Sequence, residues 1–265
     1  MTNLQGTYKT TKKNGTIYYR ASITYLSKHI SLGSYNTETQ AHHAYIEANK
    51  ILYDRTFTIG NYTNQSNISF EKWVVLINYR DSGHYIKNPI YLHKYYFSYF
   101  LSFDIELKFD VDDLFYYSNH KIFKKNGYMF VNDYGMQINI LTRYGIKNHA
   151  VNGKDYYYKD GDNYNLRYHN IVILNKYYGV EKSYNNNIET FISKIHINGY
   201  NKIGTYATEI EAAIAYNKAV DFVIENNIST KNYTKNFISE LTTGAQYKQI
   251  YENIKLSSNI ISLTT

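Results

Sequence analysis

Apolar and polar residues alternate along three short runs at the start of the chain. Gly6–Lys13, Thr16–Tyr25 and Lys28–Tyr35 show the two-residue period of a half-buried strand. Asn14-Gly15, between the first two, is a strong hairpin signal. At Thr37 the period changes. Ala41, Ala44, Tyr45 and Ala48 recur at helical spacing and place one stripe on one helix face. Thr37 can cap that helix, and Gln40 three residues on completes a capping box. A stripe of alanines lets the helix lie close against the three strands.

The same order returns later. Gly179–Ser183, Ile188–Ile197 and Asn201–Tyr206 read as strands, with Asn198-Gly199 as a turn. Thr208 caps, Glu211 takes the box position, and Ala212, Ala215, Tyr216 and Ala219 form the stripe. Gly33/Gly204, Tyr35/Tyr206, Thr37/Thr208, Glu38/Glu209, Ala41/Ala212, Ala44/Ala215, Tyr45/Tyr216 and Ala48/Ala219 match at one constant offset. Two ungapped copies indicate a duplicated module rather than a solenoid. Each copy is short for an independent domain, so each is expected to lean on its flanks. Ile68–Tyr79 and Ser239–Ile254 predict the flanking helices.

Between the copies no simple period holds. Asp110–Tyr117 predicts a loop or short helix, Lys121–Val131 a hairpin turning at Asn126-Gly127, and Met136–Gly145 a helix; Asn152-Gly153 marks a turn. The expected class is α+β: two modules, each a three-stranded antiparallel sheet packed on one helix, joined by a mixed α+β central region. The expected boundaries are 1–60, 61–175 and 176–265 of the 265 residues.

Composition narrows the chemistry. The formal charge of +7 favours an acidic partner such as nucleic acid. With no cysteine, disulfides, thiolate-bound zinc and thiol catalysis are excluded. The first residues lack the apolar core of a secretory signal, and no run is long and apolar enough to span a membrane. A cytoplasmic protein is expected. The 33 tyrosines fit both codon bias in an AT-rich genome and a surface that stacks on bases or sugars.

Strand alternation then assigns faces. Ala21, Ile23, Ile30 and Leu32 should point toward the first helix. The opposite face should carry Tyr8, Thr10, Arg20, Ser22, Thr24, His29 and Ser31, with Lys9, Lys12 and Lys13 at the hairpin. In the second copy Ser193, Ile195 and Ile203 should point inward. Glu181, Ser183, Ile192, Lys194, His196 and Lys202 should point outward. Cations, hydroxyls and imidazoles on an open sheet can neutralise phosphate and meet base edges in a major groove; an ordinary solvated face has the same alternation.

Gly6–Asp54 resembles the DNA-binding domain of plant ethylene-responsive factors and their bacterial and phage relatives. The resemblance lies in Gly6-Thr7-Tyr8, Tyr19-Arg20-Ala21-Ser22-Ile23, Leu32-Gly33-Ser34-Tyr35 and Thr37-Glu38 leading to Ala41, Ala44-Tyr45 and Ala48. Tyr178–Asn226 resembles it through Tyr178-Gly179-Val180, Ile203-Gly204-Thr205-Tyr206 and Glu211–Tyr216. In that family the sheet reads the major groove, which implies DNA contacts by the outward residues. The family's face is rich in Arg and Trp; here the first copy offers one Arg and the second none, and Glu181 stands where phosphate would lie.

Relatives of this domain are often joined to an HNH nuclease, and Tyr157–Ile171 resembles that motif. Gly161, Asp162, Arg167 and Asn170 match, and Asp160 fits a common variant. The reactive positions differ: Tyr157 replaces an acidic metal ligand, Tyr158 the general-base histidine, and Leu166 the asparagine that orients it. A phenol with a pKa of about 10 is a poor base at neutral pH. His149 and His169 are nearby, and Asp155, Asp160 and Asp162 could hold a hard cation, although Asp-Gly-Asp is also turn chemistry. The expectation is no catalytic residue, no metal and no cofactor.

Double-stranded DNA is the expected partner, in a regulatory or mobile-element role in a bacterial or phage-infected cell. A protein factor such as an inhibitor of a host nuclease, or a divergent metal-dependent homing-type endonuclease, are the alternatives.

Overall fold

The computed structural model describes residues 4–264. The protein is α+β and divides into two compact units, Met1–Ile140 with Asp160–Asn170, and Leu141–Lys159 with Ile171–Thr265. The residues between the two copies are thus shared between the units.

In the first unit, β1 (Thr7–Thr11), β2 (Ile17–Tyr25) and β3 (Lys28–Tyr35) form an antiparallel sheet in that order. Helix α1 (Glu38–Tyr53) starts at Thr37, whose side chain accepts from the Gln40 amide in a complete capping box. Ala41, Ala44 and Ala48 are fully buried against Ala21, Ile23, Ile30 and Leu32. Close approach is sharpest where the Tyr45 ring lies on Gly6 (φ +77°): a Cβ there would sit 2.1 Å from the ring. Only glycine suits that place.

Helix α2 (Phe70–Ser82) completes this core with Trp73, Leu76, Ile77 and Tyr79. Its Arg80 is buried and donates to the carbonyls of Ile51, Asp54 and Phe57, satisfying the end of α1. A second sheet, β4 (Ile90–Leu92), β5 (Tyr96–Ser102) and β6 (Ile105–Asp110), fills the stretch for which the sequence predicts no element. Phe97, Tyr99, Leu107 and Phe109 are buried on one face of it, with Tyr117 of α3 (Leu114–Asn119) among their rings.

A third sheet holds β7 (Ile122–Lys125), β8 (Tyr128–Asp133) and β9 (Met136–Asn139). The hairpin turns at Asn126-Gly127 as expected. The helix expected over Met136–Gly145 is not formed. Tyr134 and Gly135, at φ 46° and 78°, turn the chain so that Met136 pairs with Asp133, and a 3-10 turn (Ile140–Tyr144) follows.

The second unit opens with a two-stranded pair, β10 (Tyr156–Tyr158) and β11 (Ile171–Ile173). The duplicated module follows as β12 (Val180–Asn185), β13 (Ile188–His196), β14 (Tyr200–Tyr206) and α4 (Glu209–Glu225). Its details repeat. Thr208 and Glu211 form the capping box, and a Cβ on Gly179 would lie 2.1 Å from the Tyr216 ring. Both sheets also slip register at the same place, between Ala21 and Ser22 and between Ser193 and Lys194, leaving Leu32 and Ile203 as the extra residues. Helix α5 (Gly244–Asn253) begins later than expected because Thr243 accepts from the Gln246 amide and caps it there. A short α6 (Ser258–Ile261) adds Ile260 to the core.

Candidate nucleic-acid interface

Register fixes which side chains of the first module share its outer face. Tyr8 lies opposite Arg20 and Thr10 opposite Tyr18; Ser22 faces Ser31, and Thr24 faces His29. Tyr8, Thr10, Arg20, Ser22, His29 and Ser31 surround a hollow of about 430 Å³. Ser22 is its floor, 7% exposed, and Tyr8 stands at its wall, 55% exposed. No carboxylate occurs in any of the three strands. Six of the expected residues are therefore brought together, with Thr24 beside His29.

Tyr18, absent from the residues expected on this face, organises the cations. Its hydroxyl accepts from Arg20 Nη2 at 3.1 Å. The guanidinium of Arg20 and the ammonium of Lys12 lie 5.7 and 5.8 Å from its ring centroid, within the range of cation–π attraction. Alternation alone could have found Tyr18, two residues before Arg20. Ser34 was hidden by the register slip, which sets it opposite Arg20. Lys12 and Lys13 sit at the exposed hairpin turn, where the Lys12 amide donates to the Thr16 carbonyl. Lys9, expected at the hairpin, lies instead in the middle of β1. It pairs with Tyr19 between Thr7 and Thr11, so it leaves the sheet on the α1 side and does not join Tyr8 and Thr10.

The second module places the expected residues on the same lattice with different chemistry. By register, Ile192 stands where Arg20 does, Lys194 where Ser22 does, His196 where Thr24 does, and Tyr200 where His29 does. Glu181 accepts from Lys194 at 2.8 Å and lies 3.7 Å from Lys154. The Lys194 hydrogen bond holds its carboxyl below the usual range. His196 Nδ1 is 3.0 Å from Lys231 Nζ, and its ring meets Tyr200 edge-on. Ser183 is half-buried, and Lys202 is exposed. Here much of the positive charge is already matched within the protein.

The nuclease-like stretch falls in both units. In the second, Tyr157 is 40% exposed and Tyr158 buried on β10. β11 leads through residues 174–179 into β12, with no helix between them. Asp155 is taken by Lys147 at 2.9 Å and by the Val151 amide.

In the first unit the segment 160–170 is a strap on β6. The Leu166 amide donates to the Lys108 carbonyl, and the Lys108 amide to that of Tyr164. Leu166 is fully buried. Asp160 accepts from Asn165 and from the Asp162 amide, and these bonds lower its pKa. Asp162 accepts from the Tyr164 amide. Arg167 binds Asp110 at 2.9 Å, and Asn170 ties the Asp160 amide to the Asn165 carbonyl. The matched residues thus serve a turn. His149 and His169 are exposed. Among the described residues no three His, Asp or Glu side chains are grouped to hold a metal, and no helix is long and apolar enough to cross a membrane.

The chain matches no protein-family model, no curated protein and no solved structure.

Proposed function

We propose that the protein binds double-stranded DNA, with the outer face of β1–β3 entering the major groove. One observation carries this reading: the carboxylate-free hollow on which Arg20, the hydroxyls of Thr10, Ser22 and Ser31, and His29 converge. Arg20 would meet a guanine edge and the hydroxyls either base of a pair. Lys12 and Lys13 would neutralise phosphates beside the hairpin. The second module would contribute less, since Glu181 already engages Lys194.

Non-catalytic binding fits best. The acids of the nuclease-like strap accept backbone amides, and Leu166 offers no ligand atom. A regulatory or mobile-element role in a bacterial or phage-infected cytoplasm would suit such a protein. A protein partner is the second reading, favoured by the second module, where Tyr184, Ile188 and Tyr200 are exposed and Lys182 and Lys194 are paired with carboxylates.

The test is retention of random duplexes by the pure protein at two salt concentrations, with the retained pool sequenced and one arm containing magnesium. An enriched motif without cleavage is expected. Cleavage would overturn the non-catalytic reading, and absence of binding would overturn the DNA reading in favour of the protein partner.

A further inference from the structure

The β7–β9 sheet presents its own outer face. Its inner side buries Ile122 and Val131. By register the other side carries Phe123 opposite Phe130, Lys125 opposite Tyr128, and Asn132 opposite Gln137. A solvated sheet face is ordinarily polar. This one exposes Phe123 at 39% and Tyr128 at 62%, and the rings of Phe123 and Phe130 stack at 5.8 Å and 24°. Exposed aromatic rings grouped in this way are informative where a lone one is not.

The groups around the rings say what would cover them. Asn132 and Gln137 are exposed amides, each both donor and acceptor. In these strands the one charge on this side is Lys125; Asp133 lies on the inner side with Val131. Flat rings, amides and a cation, on a side of the three strands that carries no carboxylate, complement an unpaired base: ring on ring, amide on base edge, ammonium on phosphate. An apolar protein surface would leave both amides unmatched. A duplex would offer no free base face. Asn126 and Gly127, at φ 50° and 83°, close the hairpin so that Lys125 and Tyr128 are cross-strand neighbours.

We propose that the outer face of β7–β9 is a stacking platform for single-stranded nucleic acid, with Phe123, Tyr128 and Phe130 as the rings and Lys125 as the phosphate contact. It is independent of the duplex reading of β1–β3.

The experiment is fluorescence anisotropy of the full chain with three probes: a short labelled thymidine strand, an abasic strand of the same length, and a duplex. The thymidine strand should bind more tightly than the abasic one. Phe123→Ala and Tyr128→Ala should each weaken it about five-fold or more, the order expected of lost base stacking. Tyr128→Phe, which keeps the ring, should bind as the parent does. Emission from Trp73, the single tryptophan, buried in the same unit, reports that each variant stays folded. Equal binding of the two strands, indifference to both alanine substitutions, or no strand binding would overturn the proposal. Failure of the duplex reading would appear separately, in the duplex arm.

Discussion

Leu26 and Ser27 turn the β2–β3 hairpin with φ of 44° and 62°, and Leu26 is 63% exposed. That geometry needs a positive φ at both central residues, which asparagine and glycine tolerate and leucine resists. Leu26→Asn should therefore stabilise the protein by about 0.5–1 kcal/mol in urea unfolding. His93 gives a pH dependence. Its ring stacks on Tyr96, Nε2 meets Ser98 Oγ at 2.8 Å, and Ser98 donates to Glu106. Burial holds its pKa below 6.5, outweighing the attraction of Glu106, while Lys108 pushes the same way as burial. The unfolded chain then binds this proton more readily. The contribution is complete above about pH 6.5 and is lost as pH falls through the depressed value. His93→Gln should flatten the decline of melting temperature on acidification; an unchanged profile would show that another group titrates there.

At the scale of elements, the two capping boxes invite one paired experiment. Thr37 and Thr208 make the same bonds at the starts of α1 and α4, so Thr37→Ala and Thr208→Ala should each cost about 1 kcal/mol of unfolding free energy. These elements are legible in the sequence because their signals are local. Alternation, an Asn-Gly turn and a Thr followed by Gln or Glu sit within a few residues of one another. Ser34 escapes because a bulge shifts the strand period by one, and nothing in Leu32-Gly33 announces the slip. The β9 strand resembles a helix in sequence because Tyr134-Gly135 makes its turn, and tyrosine is no turn signal. In β5, Phe97, Ser98, Tyr99 and Phe100 are all buried, so the strand has no polar face to reveal it. Arg80 has the pattern of a solvated helix cation. Its three carbonyl partners lie 23 to 29 residues away in sequence, which no local pattern reports.

For the whole molecule, the question is what duplication left to each copy. The first sheet keeps an acid-free face with Arg20 on it, and Lys12→Ala and Arg20→Ala divide its contributions. Arg20→Ala should weaken DNA binding by about 1–3 kcal/mol and relax the base preference. Lys12→Ala should weaken all duplexes alike and lower the salt slope by about 1. Most of this face is legible, since alternation assigns it; the pairing of Lys194 with Glu181 is not, since Glu181 reads only as a misplaced charge. That pairing makes the second copy a test in reverse. Glu181→Gln removes the acid that Lys194 and Lys154 share, and Ile192→Arg puts a guanidinium in the register position of Arg20. If the second sheet lies on the duplex, the double variant should bind DNA more tightly than the parent. Its log affinity should also fall more steeply with log salt, by about 0.9 for each further phosphate neutralised. Anisotropy at several salt concentrations measures both quantities. A parent-like slope would place the second sheet away from DNA and leave its exposed Tyr184, Ile188 and Tyr200 to a protein partner.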